Sequence, residues 1–139
     1  MSKENKELVR RLEEAWDRSD VDTVRSLLAP NFVTHSVPPG TPGTVDGIVQ
    51  NHQMSMQSFP DRKVVVEDLI AEGDKVVVRC RTTGTNKGGL PWAGVPANDK
   101  PVDFTWVSTY RIEGGKVAEH WGLNDAGTLM AQLGAMPGM

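Results

Sequence analysis

The chain has 139 residues, 15 of them basic and 18 acidic, with a formal net charge of −3. This length favours a single domain, and the mixed charge argues against the basic surface that nucleic acids and anionic membranes require. The lone cysteine, Cys80, excludes an intrachain disulfide and fits a cytoplasmic protein. We expect no signal peptide and no membrane span, because the N-terminus is charged and long apolar runs are missing.

The first segments of the chain have the spacing of amphipathic helices. Leu8, Leu12 and Trp16 recur at i, i+4 and i+8 and predict a first helix over residues 3–18. Asp20 is placed to cap a short second helix. Both helices therefore have one apolar side to bury.

A third helix is predicted over residues 46–58, after a loop rich in proline and glycine. Its row at i, i+4 and i+8 contains Ile48, His52 and Met56. One histidine therefore lies in an otherwise apolar row, and Met56 is a candidate contact for a ligand.

From residue 63 onward the hydrophobic period changes to two, which predicts a series of strands. One face of the longest strand carries a mostly apolar set: Val102, Phe104, Trp106, Ser108, Tyr110 and Ile112. Helices followed by consecutive strands predict an α+β domain with a curved antiparallel sheet, whose open end the N-terminal helices close over an apolar pocket. We expect one domain over residues 1–134 and a flexible tail over residues 135–139.

The three histidines, His35, His52 and His120, are the side chains best suited to proton transfer near neutral pH. Each also has a structural interpretation: His52 can be a buried, hydrogen-bonded residue, and His35 can cap loop backbone. Asp125 precedes the last predicted helix and can be its N-cap. That role would not prevent Asp125 from acting as a base or from orienting His120.

A tryptophan in the segment GGLPWAGVP, Trp92, is a candidate lid that stacks on a flat, apolar ligand. The predicted ligand-binding side chains are the following: Trp92, Phe104, Trp106, Ser108, Tyr110 and Met56. We predict neither a metal nor a cofactor, because the histidines lack ligand spacing and the glycine pairs match no phosphate loop.

Several segments, taken in order, resemble the SnoaL-like polyketide cyclase family. They include FPD, EGDKVVVR, GVPANDK, YRIEGGKVAEHW and D-x-G-T-L-x-x-QLG, and the resemblance covers most of the chain. It implies the cone fold of the nuclear-transport-factor superfamily and an oligomeric, cofactor-free protein. The best-known members close a ring of an aromatic polyketide ester by an intramolecular aldol step, with an acidic pocket residue as general acid and base.

The resemblance also implies that this chain differs from those cyclases at their polar site. Their catalytic aspartate, assisting histidine, glutamine and asparagine align with other residues here: Gly122, Ser108, Trp106 and Thr34. A glycine cannot transfer a proton. His120 matches a histidine of the cyclase pattern, and Asp125 matches a second aspartate.

The orientation of His120 depends on the turn at residues 113–115. A two-residue loop pairs Ser108 with Trp121 and leaves His120 outside, whereas a three-residue loop with a glycine bulge pairs Ser108 with His120. The resemblance favours the bulged loop, so we expect His120 to face inward. Trp121 and Leu123 would then lie on the convex face and form a homodimer surface.

These observations predict an acid–base enzyme that cyclises, isomerises or dehydrates a hydrophobic, polyketide-like small molecule. His120 with Asp125 is the expected catalytic pair, and His35 and His52 are the second candidates. One alternative is a non-catalytic binding protein of the same fold, as the missing aspartate suggests. Another is a cofactor-independent hydroxylase or an epoxide hydrolase. The hydrolase would need an inward-facing acid and base set drawn from four residues: Arg79, Arg81, Asp103 and Arg111.

Overall fold

The computed structural model describes residues 2–135 and contains helices followed by strands. The helices are α1 (Ser2–Asp17), α2 (Val21–Leu27), α3 (Val45–Ser58) and α4 (Ala126–Gln132). The strands are β1 (Leu28–Thr34), β2 (Lys63–Glu72), β3 (Lys75–Thr85), β4 (Pro101–Glu113) and β5 (Lys116–Asn124). The predicted α+β class is confirmed. Within this part of the chain, no helix is both long and apolar enough to cross a membrane.

The five strands form one curved sheet in the order β1-β5-β4-β3-β2. Strands β2 to β5 pair antiparallel with their neighbours, as expected. Strand β1 joins the edge parallel to β5, so the complete sheet is mixed. No hairpin links β1 to β5, because the other three strands lie between them in sequence, and a parallel pair is therefore possible.

The core lies between the concave face of the sheet and helices α1, α2 and α3. Alternate side chains of β3 are buried there: Val76, Val78, Cys80 and Thr82. The residues between them, including Arg79 and Arg81, point to solvent on the convex face. A second apolar cluster lies beneath α4 and includes Leu90, Val102 and Leu129.

The β4–β5 hairpin sets the orientation of His120 by a different route from the predicted one. Gly114 and Gly115 have φ values of 59° and 75°, which suit a two-residue turn, and Ile112 pairs with Val117. The register then shifts by one residue at a bulge between positions 117 and 119. His120 pairs with Tyr110 and faces inward as predicted, but the predicted bulge at Gly115 is wrong.

The same shift changes the pairing of the neighbouring residues. Ser108 pairs with Gly122 rather than with His120, so that prediction is also wrong. Of the tail predicted over residues 135–139, residues 136–139 lie outside the described part. Ala135 donates its backbone N–H to the carbonyl of Met130 at 2.9 Å.

Candidate functional site

His120 is buried on the concave face and is hydrogen-bonded through both ring nitrogens. Its Nδ1 lies 2.8 Å from the Thr34 hydroxyl, and its Nε2 lies 2.9 Å from the Ser108 hydroxyl. The parallel pairing of β1 with β5 places Thr34 beside His120, and β4 supplies Ser108 from the other side. The imidazole also stacks on the ring of Tyr110, with centroids 4.9 Å apart.

The two hydroxyls around the ring can each donate or accept a hydrogen bond, so the contacts with Thr34 and Ser108 are compatible with either neutral tautomer of His120. Burial, followed by the charge of His35, lowers the pKa of His120 to about 4, so the neutral ring predominates near pH 7.

Gly122 lies next to His120 on the same concave face. A Cβ at this position would lie 3.1 Å from both Cε1 and Nε2 of His120 and 3.3 Å from the Ser108 hydroxyl. Ser36 holds the Gly122 backbone, because its hydroxyl donates to the carbonyl at 2.9 Å and accepts from the N–H at 2.6 Å. The glycine therefore leaves a position, bounded by fixed backbone, from which another atom could contact Nε2.

A buried carboxyl group, Glu13 of α1, reaches this site through Tyr110. The Tyr110 hydroxyl donates to Oε1 of Glu13 at 2.5 Å. Burial raises the pKa of Glu13 to about 7, although the hydrogen bond from Tyr110 and the charge of Arg62 work in the opposite direction. Burial and the neighbouring Glu13 raise the pKa of Tyr110. Glu13 is thus a carboxyl group that can exchange its proton near neutral pH.

Glu13 was not among the predicted site residues, although the sequence contained a signal for it. Val9, Glu13 and Trp16 lie at i, i+4 and i+7 of α1, so the carboxyl is part of an apolar helix face. A helical carboxylate between two buried positions needs a partner, and that partner is 97 residues away in the sequence. The spacing could have identified the carboxyl but not Tyr110.

His52 lies in a different part of the interior from His120. Its ring is 4.7 Å from that of Trp16, and its Nε2 lies 3.2 Å from the Ser19 hydroxyl. Burial, followed by the charge of Arg62, lowers the pKa of His52 to about 4. These partners are those of a buried, hydrogen-bonded histidine.

The partially buried Arg62 lies between the surroundings of His52 and those of Glu13. One Nη atom donates to the Ser55 hydroxyl at 2.8 Å, and among the described residues Nε has no hydrogen-bond partner. Its charge lowers the pKa values of both Glu13 and His52. The charge of Arg62 therefore acts on both Glu13 and His52, but it is not among the causes that shift the pKa of His120.

His35 lies on the outer side of the sheet. Its Nε2 is 2.7 Å from a carboxylate oxygen of Glu119, and its ring stacks on Trp121 with centroids 5.2 Å apart. The side chain is exposed to solvent. The structure therefore separates His35 from the concave face that holds His120.

Asp125 caps α4 and is exposed. Its Oδ1 accepts from the backbone N–H of Thr128 at 3.1 Å, and its Oδ2 accepts from the Thr128 hydroxyl at 2.7 Å. These hydrogen bonds lower the pKa of the Asp125 carboxyl. Its hydrogen bonds go to Thr128 and not to His120, whose ring nitrogens contact Thr34 and Ser108. Asp125 is the N-cap of α4, as one of its two predicted roles required.

The predicted ligand-binding side chains differ in their burial. Ser108 and Tyr110 are buried at the site, and Trp106 is half-buried and donates from Nε1 to the Thr82 hydroxyl at 2.7 Å. Phe104 is half-buried against the cluster beneath α4. Met56 is half-buried on α3, and Trp92 is 60% exposed in a one-turn helix at Pro91–Ala93.

The residues that an epoxide hydrolase would need lie on the convex face. Arg81 forms an ion pair with Asp103, and Arg79 pairs with Glu67 and Asp68, all near the solvent. Within residues 2–135, no group of three His, Cys, Asp or Glu side chains could hold a metal ion.

The sequence of this chain matches one known protein family over almost its full length. The SnoaL-like polyketide cyclase family matches residues 6–133, which is nearly the whole chain. The chain belongs to the SnoaL-like polyketide cyclase family. Comparison with curated proteins gives no significant match.

Solved structures resemble this SnoaL-like protein over almost its full length. IdmH from Streptomyces antibioticus, a proposed polyketide cyclase, is 33% identical with a TM-score of 0.82, covering 94% of this chain and 98% of that one. A proposed SnoaL-like polyketide cyclase from Jannaschia sp. CCS1 is 32% identical with a TM-score of 0.82, covering 99% and 96%. AclR from Streptomyces galilaeus, a proposed hydroxylase, is 28% identical with a TM-score of 0.85, covering 99% and 89%.

A more distant structure supports the fold alone. An NTF2-like protein from Burkholderia pseudomallei K96243 is 20% identical with a TM-score of 0.74, covering 96% of this chain and 98% of that one. The protein thus has the NTF2-like cone fold that the sequence predicted.

Proposed function

We propose that this protein is a cofactor-free acid–base enzyme that cyclises, isomerises or dehydrates a hydrophobic, polyketide-like small molecule. The observation that carries the proposal is the position of Nε2 of His120, 3.1 Å from where a side-chain atom at Gly122 would lie. A substrate atom at that position is within reach for proton transfer. Family membership supports the substrate class. The lone buried thiol of Cys80 fits action in the cytoplasm.

In this mechanism the substrate enters the concave side of the sheet and lies against the half-buried rings of Trp106 and Phe104. Its reacting group would displace Ser108 as the partner of Nε2. With Nδ1–H donating to the Thr34 hydroxyl, Nε2 of His120 is then free to take a proton from the substrate and to return it. The low pKa of His120 keeps the ring neutral and therefore able to accept a proton at pH 7.

A non-catalytic binding protein is the second candidate, and two observations favour it. Gly122 stands where the family cyclases carry their catalytic aspartate, and both nitrogens of His120 are already hydrogen-bonded. A hydroxylase is a third candidate because of the similarity to AclR, a proposed hydroxylase. All three candidates would bind their ligand at the same concave face. They differ in whether the bound compound is left unchanged, exchanges or loses a proton, or is hydroxylated.

We propose in addition that the protein forms a homodimer through the convex face around Trp121 and Leu123. Leu123 is 82% exposed and pairs with the exposed Val107 across the strands, and the partly exposed Trp121 stacks on His35. Adjacent apolar side chains on an open sheet face are typical of a protein interface. A second copy of the chain is the expected occupant, because one apolar surface can serve both partners of a two-fold pair.

The experiment uses flat aromatic ketones and esters that carry an acidic C–H, with 2-tetralone as the first probe. Binding is followed by tryptophan fluorescence, and exchange of the acidic hydrogen for deuterium is followed by proton NMR in D₂O. An enzyme accelerates the exchange or converts the compound. Binding without exchange or conversion across the panel would contradict the enzymatic proposal and favour the binding protein.

A further inference from the structure

The chain that follows β1 is fastened to β5 by the side chain of a single serine, Ser36. The Ser36 hydroxyl donates to the Gly122 carbonyl at 2.9 Å and accepts from the Gly122 N–H at 2.6 Å. One residue earlier, the His35 N–H donates to the His120 carbonyl at 2.9 Å. Because β1 ends at Thr34, the Ser36 side chain supplies the hydrogen bonds that a longer strand would give to β5.

Ser36 also contacts the residue that lies on the other side of the His120 ring. The Ser36 backbone N–H donates to the Thr34 hydroxyl at 3.2 Å, and that hydroxyl lies 2.8 Å from Nδ1 of His120. A hydroxyl oxygen has two lone pairs and one proton, so Thr34 can make both contacts at once. Ser36 is therefore bonded to a neighbour of each ring nitrogen, because Thr34 lies beside Nδ1 and Gly122 lies beside Nε2.

Gly122 needs such a restraint because it has no side chain to pack. A glycine inside a strand weakens the strand and often marks a place where a ligand comes close to the backbone. Here a Cβ built on Gly122 would lie 3.1 Å from Nε2 of His120, so the Gly122 backbone bounds the position proposed for the reacting atom. A displacement of about 1 Å at such a position can slow a reaction by about 100-fold.

The loop that carries Ser36 is held together at its base. It returns to Thr34 at Gly43, whose carbonyl accepts from the Thr34 N–H at 3.0 Å. The contact is close, because a Cβ on Gly43 would lie 2.6 Å from the Thr34 carbonyl oxygen. The loop therefore begins and ends at a fixed point beside β5, from which the Ser36 hydroxyl reaches Gly122.

We propose that Ser36 is a positioning residue for His120. It holds the Gly122 backbone, and with it the position of the reacting substrate atom, at a fixed distance from Nε2. It also holds the Thr34 hydroxyl against Nδ1. This role requires neither contact with the substrate nor transfer of a proton by Ser36. The inference rests on the proposed acid–base function of His120.

Two NMR measurements on the full-length protein without any substrate test the positioning. They are the hydrogen exchange rate of the Gly122 amide and the nitrogen-15 signals of the His120 ring. In Ser36→Ala the amide loses its acceptor and should exchange about 10-fold faster, and the ring signals should shift. Ser36→Thr keeps a hydroxyl and should restore both. The matched control Ser26→Ala removes a hydroxyl that donates to the Thr23 carbonyl at 2.6 Å on α2, and it should change neither.

With 2-tetralone present, the expected loss lies in kcat rather than in KM. Ser36→Ala should lower kcat for deuterium exchange by about 10- to 100-fold, because the reacting atom and Nε2 are no longer held together. KM should change little, because the apolar contacts of the compound with Trp106 and Phe104 are retained. Ser36→Thr should recover kcat, and Ser26→Ala should keep it. A wild-type kcat in folded Ser36→Ala would contradict the role of Ser36.

Two results without substrate would also overturn the proposal. One is a Gly122 amide that exchanges equally fast in wild type and in Ser36→Ala. The other is a set of unchanged His120 ring signals beside a faster amide, which would mean that Ser36 stabilises the strand without positioning the site. If Ser36→Ala does not fold, Ser36→Cys replaces the hydroxyl with a weakly bonding thiol and must produce both changes. Failure of the enzymatic function is distinguishable, because it appears as wild-type protein that does not accelerate the exchange of 2-tetralone.

Discussion

His120 lies directly opposite Tyr110 in the β4–β5 ladder, and the two rings stack with centroids 4.9 Å apart. The stacked pair lies between two hydroxyl groups and a buried carboxyl group. On one side His120 contacts the hydroxyls of Thr34 and Ser108, and on the other Tyr110 bonds to the buried Glu13. The site is therefore one connected polar group within an apolar core.

Replacing Glu13 should remove a pH dependence from the stability of the protein. The raised pKa means that folded Glu13 binds its proton more tightly than the unfolded chain does. Its favourable contribution is complete below pH 4.5 and is lost as the pH rises through about 7. The loss is on the order of 3 kcal/mol in the free energy of unfolding.

Urea denaturation of wild type and Glu13→Gln between about pH 5 and about pH 8 measures this effect. Relative to wild type, the glutamine variant should become more stable as the pH rises, because its side chain is never charged. Glu14→Gln, an exposed neighbour, should follow wild type at every pH. Parallel curves for Glu13→Gln and wild type would show that Glu13 is not a buried titrating acid.

Restoring an acid at position 122 should change the titration of His120. In Gly122→Asp the new carboxylate lies beside Nε2 and stabilises the imidazolium, so the pKa of His120 should rise from about 4 by about one to three pH units. Gly122→Asn adds a side chain of the same size without charge and is the matched control. Ring NMR titrations of both variants measure the difference. Equal pKa values in the two variants would mean that position 122 does not face His120.

Removing the cap of α4 should affect stability and leave the chemistry intact. Asp125→Ala deprives the Thr128 N–H and hydroxyl of their acceptor, so α4 should fray and the Tm should fall by a few degrees. Asp125→Asn keeps an acceptor and should recover most of the loss. Thermal unfolding and deuterium exchange of 2-tetralone are measured on the same samples. If Asp125→Asn greatly slowed the deuterium exchange of 2-tetralone without changing the Tm, Asp125 would have to take part in catalysis.

A charge on the convex face should dissociate the proposed dimer. Leu123→Asp places a carboxylate in the centre of the apolar patch, and analytical ultracentrifugation should then detect a monomer. Ile70→Asp is the matched control, because Ile70 is 62% exposed on β2, three strands away from β5. Dissociation by both substitutions, or by neither, would contradict an interface centred on Leu123.

The sequence predicted what depends on neighbouring residues and missed what depends on distant ones. The glycine pair at 114–115 correctly indicated a tight turn, and Asp20 caps α2 as its position predicted. The inward orientation of His120 instead depends on a bulge at Ala118, three residues after Gly115. A bulge shifts all later side chains by one position and has no strong residue preference here, so local patterns could not locate it.

The partners of the site residues show the same limit. Glu13 and Tyr110 are 97 residues apart, and Thr34 meets His120 only because β1 pairs parallel to β5 at the sheet edge. Neither contact follows from periodicity. Asp125 was assigned two roles from its position, and local helix capping is the one for which the structure supplies contacts.

The most direct test of the acid–base account is deuterium exchange of 2-tetralone by His120→Gln, measured beside wild type and His52→Gln. Glutamine preserves hydrogen bonding to Thr34 and Ser108 but cannot take up a proton near pH 7. The account predicts that His120→Gln loses the accelerated exchange by at least about 100-fold, while His52→Gln, which removes the other buried imidazole, retains it. Undiminished exchange in a folded His120→Gln would contradict the account.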